Sequence, residues 1–301
     1  MSIVFKVIII GLIVSLFFGV LVIMLLGSNE INPTLSKGAA QLEISEIVFH
    51  KKTGVAGDEI GQFDRPYSLE FFDNQLFVLD SGNNRIQIFS KNLDFKMEIN
   101  LPDDQKHLPQ GIAVTSDKIF VAYTYDYVVK SFDYNGNTLN KFPVSWTTDL
   151  EADEDFIYVM EPHKSSVQVY DHQGVLIKQF KAHKNLHYIN SNQKNLVVSG
   201  PHPSVNIPPD ILIYDKNSGM VEKRFSTSGA VNGSAITEDI VLFLELDSIK
   251  IVNFDGELFY EFDLEKGIGD VRHSKIEING NFVYLADFKD NSIKILEIIY
   301  Q

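Results

Sequence analysis

Acidic residues recur at equivalent positions along the sequence, and carboxylate oxygens are ligands that calcium prefers. Six positions that end successive apolar segments carry four carboxylates: Asp80, Tyr123, Glu161, Ser199, Glu245 and Asp287. One interpretation is a ring of ligands around a cation. The other is that each carboxylate caps the loop that follows it, as Asp80 would do with the amides of 81–83. We favour the second, because these segment ends lie too far apart to share one ion.

Histidine is the second residue type that could do chemistry here. Six of the eight histidines fall in predicted loops or at strand starts: His107, His163, His183, His187, His202 and His273. Three of them could bind zinc. Their offsets within the repeat described below differ, however, so solvated loop histidines are the favoured interpretation. The sequence has no cysteine, no Ser-His-Asp order, no glycine-rich phosphate loop and no helical metal motif.

The segments that carry these residues repeat along the chain. The clearest copy, 63–90, reads as three short strands rich in Leu, Ile, Val and Phe, with Asp, Asn and Gly in the turns. Its third strand recurs every 38–44 residues, starting at Ile86, Val129, Val167, Ile211, Ile249 and Ile293. A period of this length with several strands per repeat is typical of propeller blades. The sequence therefore predicts an all-β, six-bladed β-propeller.

The two ends of the repeat array have complementary defects. The sixth blade, 275–297, has only three predicted strands, whereas an isolated strand is predicted at 42–50, ahead of the first blade. If 42–50 completes the sixth blade, the ring closes and two exposed sheet edges disappear. The predicted propeller domain is therefore 42–301.

Within the first blade, residues 63–66 (FDRP) and 80–89 (DSGNNRIQIF) resemble an NHL repeat. Residues 286–295 (ADFKDNSIKI) are a looser copy, and the Asp-x-x-Gly turns at 133–136 and 171–174 are similar to those of NHL blades. The resemblance implies a six-bladed β-propeller. It implies no single function, because propellers are scaffolds that unrelated activities share.

Residues that start the innermost strands surround the channel of such a ring. They are predicted to be Tyr67, Gln110, Thr148, Leu186, Asn232 and Ser274. Propeller lactonases that depend on calcium carry an Asn in Pro-Asn-Gly here, whereas this sequence has Pro109-Gln110-Gly111. The amidating lyases that resemble NHL propellers bind zinc through Pro-His-Gly, which is absent from all six strand starts. No metal or cofactor is predicted, and a calcium- or zinc-dependent hydrolase or lyase with its site in the channel is the alternative.

The N-terminus contains an apolar stretch, 7–26, of 20 residues without a charge. As a helix it would be about 30 Å long, the thickness of a bilayer's hydrocarbon core. Without a small-x-small cleavage site it predicts an uncleaved signal anchor at 1–27, followed by a polar linker at 28–41. Lys6 on the cytoplasmic side would place the propeller outside the cytoplasm of a single-pass cell-membrane protein.

The charge of the chain excludes one class of partner. Beyond Lys6, 25 basic residues stand against 40 acidic ones, a formal charge of −15. Such a surface repels phosphate backbones, so no nucleic-acid partner is predicted.

The favoured function is a monomeric binding module for a protein, a peptide or another ligand. A carbohydrate- or envelope-binding protein is a further alternative. Binding is predicted on the top face, where the blade-to-blade connections and the loops after each second strand emerge. Arg, Tyr and Trp contribute most of the binding free energy at protein interfaces, so residues of these types on the top face are the leading candidates. The loop 201–210, with four prolines, is predicted to form one wall. The predicted site residues are Arg65, Tyr67, Gln110, Trp146, Thr148, His187, Asn232 and His273.

Overall fold

A computed structural model describes residues 43–102, 107–183, 186–200, 210–227, 229–264 and 275–301. These residues form six antiparallel sheets of four strands each. The predicted all-β six-bladed propeller is therefore confirmed. The predicted anchor at 1–27 and linker at 28–41 lie outside the described residues. Among the residues that are described, no helix has both the length and the hydropathy needed to cross a bilayer.

The first strand of the described chain, β1 (Ile44–Thr53), precedes the blades. Blade one consists of β2 (Pro66–Phe72), β3 (Gln75–Asp80), β4 (Arg85–Ser90) and β5 (Phe95–Asn100). Blade two consists of β6 (Gly111–Val114), β7 (Ile119–Tyr123), β8 (Val128–Phe132) and β9 (Thr138–Pro143). Blade three consists of β10 (Asp149–Ala152), β11 (Phe156–Glu161), β12 (Ser166–Asp171) and β13 (Leu176–Lys181).

The remaining three blades follow in the same order. Blade four consists of β14 (Tyr188–Ser191), β15 (Asn195–Ser199), β16 (Asp210–Asp215) and β17 (Val221–Ser226). Blade five consists of β18 (Ser234–Ile236), β19 (Ile240–Leu244), β20 (Ser248–Asn253) and β21 (Leu258–Asp263). Blade six contains β22 (Ile276–Asn279), β23 (Phe282–Asp287) and β24 (Ser292–Tyr300).

The fourth strand of blade six is β1. It pairs antiparallel with β24, from Ile44 opposite Tyr300 to Thr53 opposite Ile293. The observed strand starts two residues later than the predicted 42–50 and ends three residues beyond it. Two register shifts allow it to follow the twist of β24. The sixth sheet is thus built from both ends of the described chain.

The cores lie between adjacent blades, because alternate side chains of each strand point to opposite neighbours. In β3, Leu76 and Val78 pack toward blade six, whereas Phe77 and Leu79 pack toward blade two. Both faces of the strand are therefore covered. This is the physical reason why the middle strands are continuously apolar instead of alternating.

A left-handed residue closes the loop after the second strand in four blades. Asn84, Tyr127, Ser165 and Asn291 have φ values of 50–57°. In the first three blades this residue follows a short 3-10 turn. Asn tolerates this conformation best among residues with a side chain, which explains the Asn in the NHL-like segments of blades one and six. The innermost strands β2, β6, β10, β14, β18 and β22 contact their neighbours around the channel.

Candidate functional site

A cavity of about 370 Å³ lies at the top end of the channel. Its walls come from the starts of the innermost strands and from two loops that follow second strands, so five of the six blades contribute. The lining residues are Tyr67, Ser68, Gln110, Tyr125, Trp146, Thr148, Asp149, His187, Tyr188, Lys275 and Phe288. Aromatic rings dominate this set, and its charged members are Asp149 and Lys275.

Two groups of stacked rings hold the aromatic walls in place. Tyr67 stacks on Phe288 with 5.3 Å between ring centroids and 7° between ring planes. Trp146 stacks on His163 at 4.8 Å and meets the edge of His187 at 5.6 Å. Ring contacts of this kind restrict side-chain rotation, so the walls are preorganised for a ligand.

The floor of the cavity is a buried ion-pair network. The Lys275 ammonium donates to Asp149 Oδ2 at 2.9 Å, to Glu151 Oε1 at 3.0 Å and to the backbone carbonyl of Ile189 at 2.8 Å. An ammonium has three donors, so all of them are used. Burial lowers the pKa of Lys275, but the surrounding carboxylates raise it by more, and the net shift is upward. Lys275 is therefore charged.

Below the floor, three carboxylates from different blades converge. Oxygens of Glu70, Glu151 and Glu277 all lie within 4.8 Å of one another. Burial, outweighing the attraction of Lys275, raises the pKa of Glu277 to about 8. Burial also raises the pKa of Glu70 well above its usual value, and the charge of Glu151 adds to this shift. The single positive charge of Lys275 thus cannot neutralise all the carboxyl groups around it.

A metal fits this cluster poorly. The Lys275 ammonium lies 3.0 Å from a Glu151 oxygen and 3.8 Å from a Glu277 oxygen, so the chain supplies its own cation there. Within this cluster, a metal ion would compete with that ammonium for the same carboxylates and would be repelled by it. No other group of three metal-binding side chains occurs in the part of the chain that the structure describes, and histidines form none. The hydrolase or lyase alternative gains no support from this geometry.

Two buried acceptors in this region lack a hydrogen-bond partner. Ser68 is 1% exposed and its Oγ has no partner among the described residues. The same holds for Glu70 Oε2, although the rest of Glu70 retains some exposure. Both residues lie on β2, two positions apart, and therefore on the same face of the strand. Buried polar atoms are normally satisfied, so Ser68 in the cavity lining leaves hydrogen-bonding capacity for a bound group.

Five of the predicted site residues line the cavity together: Tyr67, Gln110, Trp146, Thr148 and His187. Arg65 is not among the lining residues; its guanidinium lies 3.1 Å from the Asp64 carboxylate. Asn232 is also outside the lining, and is 4% exposed. His273 and the loop 201–209 lie outside the described residues. Whether any of these residues binds a partner stays a prediction.

The charged floor was missed, although the sequence carries a signal for it. In three inner strands two polar residues flank one apolar residue: Ser68-Leu69-Glu70, Asp149-Leu150-Glu151 and Lys275-Ile276-Glu277. Because the side-chain period of a strand is two, both polar residues of each triplet share one face. Those faces meet around the channel, where Lys275 donates to Asp149 and Glu151 and the carboxyl groups of Glu70 and Glu277 lie close to that of Glu151.

The carboxylates at the ends of second strands do not form a common ring. Each of the four is bound within its own blade or by the connection that leads into it. Asp80 accepts from the Asp64 amide at 2.7 Å and from Arg85 Nε at 2.8 Å. The other three are held by nearby donors: Glu161 by the Ser145 amide, Glu245 by Lys250 and Asp287 by Lys294. The predicted capping holds for Asp287, which accepts from the amides of Lys289 and Asp290. It is wrong for Asp80 and Glu161, whose side chains accept from none of the backbone amides of the turn that follows.

Comparison with known proteins agrees with the fold. No family model matches the sequence. The chain is 26% identical over 175 residues to the protein brain tumor of Drosophila melanogaster, an NHL-repeat protein. The chain is a six-bladed β-propeller, and this match is consistent with an NHL-like one. The match covers 54% of this chain but only 17% of that relative's length, so it reaches one region of a much larger protein.

Solved structures with the same architecture have diverse activities. Hydrazine synthase of Kuenenia stuttgartiensis superposes with a TM-score of 0.60 and 13% identity, covering 78% of this chain and 77% of its own. A streptogramin B lyase gives 0.58 and 16%, covering 77% and 78%. The Pan2 WD40 domain of Neurospora crassa gives 0.57 and 14%, covering 78% and 75%. At such identity the likeness establishes the propeller fold alone.

Proposed function

We propose that this protein is a membrane-anchored binding module that holds a protein or peptide partner at the top cavity of its propeller. One observation carries the proposal: the cavity of about 370 Å³ on the axis, walled by preorganised aromatic rings. Aromatic side chains in a concave site are typical of interface hot spots. Five residues that the sequence predicts for binding lie in this one lining.

The membrane part of the proposal depends on the sequence. The uncharged stretch at 7–26 has the length of a spanning helix, and Lys6 on its N-terminal side favours a propeller outside the cytoplasm. Fractionation followed by protease treatment of intact cells tests this. The proposal expects the chain in the membrane fraction and the propeller accessible from outside the cytoplasm. Recovery in the soluble fraction would contradict it.

The binding part is tested by partner capture with single substitutions. Tyr67→Ala and Trp146→Ala in the full chain should each reduce capture of cross-linked partners at least ten-fold, since a hot-spot truncation costs about 2 kcal/mol or more. Leu258→Ala is the control, because Leu258 is 54% exposed on the outer strand β21. Melting temperatures of the three variants separate lost binding from lost stability. Unchanged capture by both cavity variants would reject the top face as the site.

A further inference from the structure

We propose that the group held in the top cavity is a cation, the ammonium or guanidinium of a basic side chain on a protein partner. This assignment rests on the proposed function, because it names the chemistry of the same site. It is carried by the hydrogen bonds of the floor, by an unsatisfied hydroxyl on β2 and by the aromatic walls.

The floor offers acceptors, whereas its charged donor is already committed. All three hydrogens of the Lys275 ammonium are donated, two of them to Asp149 and Glu151 and one to a backbone carbonyl. An anionic ligand would need free cationic donors at this place, and Lys275 provides none. The floor is therefore unsuited to a carboxylate or a phosphate.

One hydroxyl of the lining can accept a hydrogen bond from a bound group. Ser68 is 1% exposed, and its Oγ has no partner in the described part of the chain. A hydroxyl oxygen accepts an N–H, and the Asp149 carboxylate, which also lines the cavity, strengthens the attraction for a charged donor.

The faces of aromatic rings complete an environment that favours a bound cation. The rings of Tyr67, Tyr125, Trp146, Tyr188 and Phe288 line the cavity above the floor. The face of an aromatic ring carries negative potential, and Trp attracts a cation most strongly.

The balance of charge has the same sign in the floor and in the whole chain. In the floor, the two carboxylates that accept from Lys275, those of Asp149 and Glu151, face one ammonium. The whole chain carries a formal charge of −14, which favours encounter with a basic partner. The cavity volume lies at the lower end of the range for ligand sites, so it suits one long side chain.

The test compares two probes of nearly equal shape and different charge. Nα-acetyl-arginine amide and Nα-acetyl-citrulline amide are titrated into the full-length protein in detergent micelles. Fluorescence of Trp146, the single Trp of the sequence, reports occupancy, and calorimetry confirms it. We expect saturable binding of the arginine compound and at least a ten-fold weaker response to the citrulline compound. Added salt should weaken the arginine binding.

Matched variants assign the signal to the cavity. Tyr67→Ala and Ser68→Ala should each weaken binding of the arginine compound several-fold. Tyr127→Ala should leave it unchanged, because Tyr127 lies outside the lining and is as exposed as its cavity neighbour Tyr125. Equal affinity for the two compounds, no saturation on the order of 10 mM, or the same affinity in Tyr67→Ala would overturn the inference.

Partner capture and binding of the arginine compound together distinguish a wrong cation assignment from a wrong proposed function. If partner capture depends on Tyr67 and Trp146 but the arginine compound shows no preference, the cation assignment is wrong and the binding module stands. If capture is insensitive to both residues as well, the proposed function fails along with it.

Discussion

Glu277 is a buried carboxyl beside other acidic groups, and its replacement by glutamine removes the charge while keeping the shape of the side chain. Its carboxylate accepts from Asn190 Nδ2 at 2.6 Å and faces Lys275 at 3.8 Å. Glu70, Asp149 and Glu151 face the same region, and all three have raised pKa values, with burial as the largest cause. Protons held by this cluster should therefore make stability depend on pH.

We predict that the protein loses stability as pH rises from about 5 to 8. The pKa of Glu277 is raised from 4.5 to about 8 in the folded state. Between these values the folded state binds more protons than the unfolded state, so the free energy of unfolding falls with rising pH. One proton contributes at most about 1.4 kcal/mol per pH unit. Urea denaturation at several pH values measures the slope.

The substitution Glu277→Gln isolates this contribution, because the amide oxygen can still accept from Asn190. The variant should have a flatter pH profile and should be more stable than the natural protein at pH 8. The same slope in both proteins would show that Glu277 does not hold a proton in this range.

Among the connecting elements, the segment between β1 and β2 depends on one buried side chain. Arg85 is 5% exposed and pairs with Asp80 at 2.8 Å and with Glu98 at 2.7 Å. Its remaining hydrogens go to backbone carbonyls of the connection, those of Asp58, Glu59 and Gln62. Arg85 thus holds the connection between β1 and β2 against blade one.

Arg85→Ala should destabilise the propeller by about 3–5 kcal/mol, because it leaves a buried carboxylate and several carbonyls without donors. Lys223→Ala is the matched control: Lys223 pairs with Asp255 at 2.7 Å on the exposed surface, where such a pair contributes about 0–1 kcal/mol. Thermal unfolding compares the two variants. A loss in Arg85→Ala no larger than that in Lys223→Ala would contradict the role assigned to this residue.

The elements were largely predictable, because each blade repeats a local pattern of apolar strands and turn residues. The segment 63–90, predicted to form three short strands, contains β2, β3 and β4. Part of the lining of the top cavity was predicted, because the starts of the innermost strands must surround the axis of a ring. The floor was not, because the pairing of Lys275 with Asp149 joins residues 126 positions apart. Only the relative rotation of distant blades brings those two side chains together.

At the scale of the whole molecule, closure of the ring depends on β1. Its ten residues cover β24, which would otherwise expose an unpaired edge. Ile47 of β1 also contributes to the core between blades five and six. Stability of the ring should therefore require this strand.

A chain that starts at Gly54 should aggregate or unfold at a much lower temperature than one that starts at Glu43. The chain that starts at Glu43 is the control, because it also lacks residues 1–42 but retains β1. Size-exclusion chromatography and thermal unfolding compare them. Equal behaviour of the two would show that the ring closes without the N-terminal strand.

The binding role of the top cavity is tested most directly by site-specific cross-linking in cells that make the protein. A photoreactive residue is placed at position 125, whose Tyr is 50% exposed at the cavity, or at position 258, whose Leu is 54% exposed on an outer strand. We predict a discrete adduct from position 125 that disappears when Trp146→Ala is added, and no such adduct from position 258. An adduct formed equally from position 258, or one from position 125 that survives Trp146→Ala, would contradict binding at the cavity.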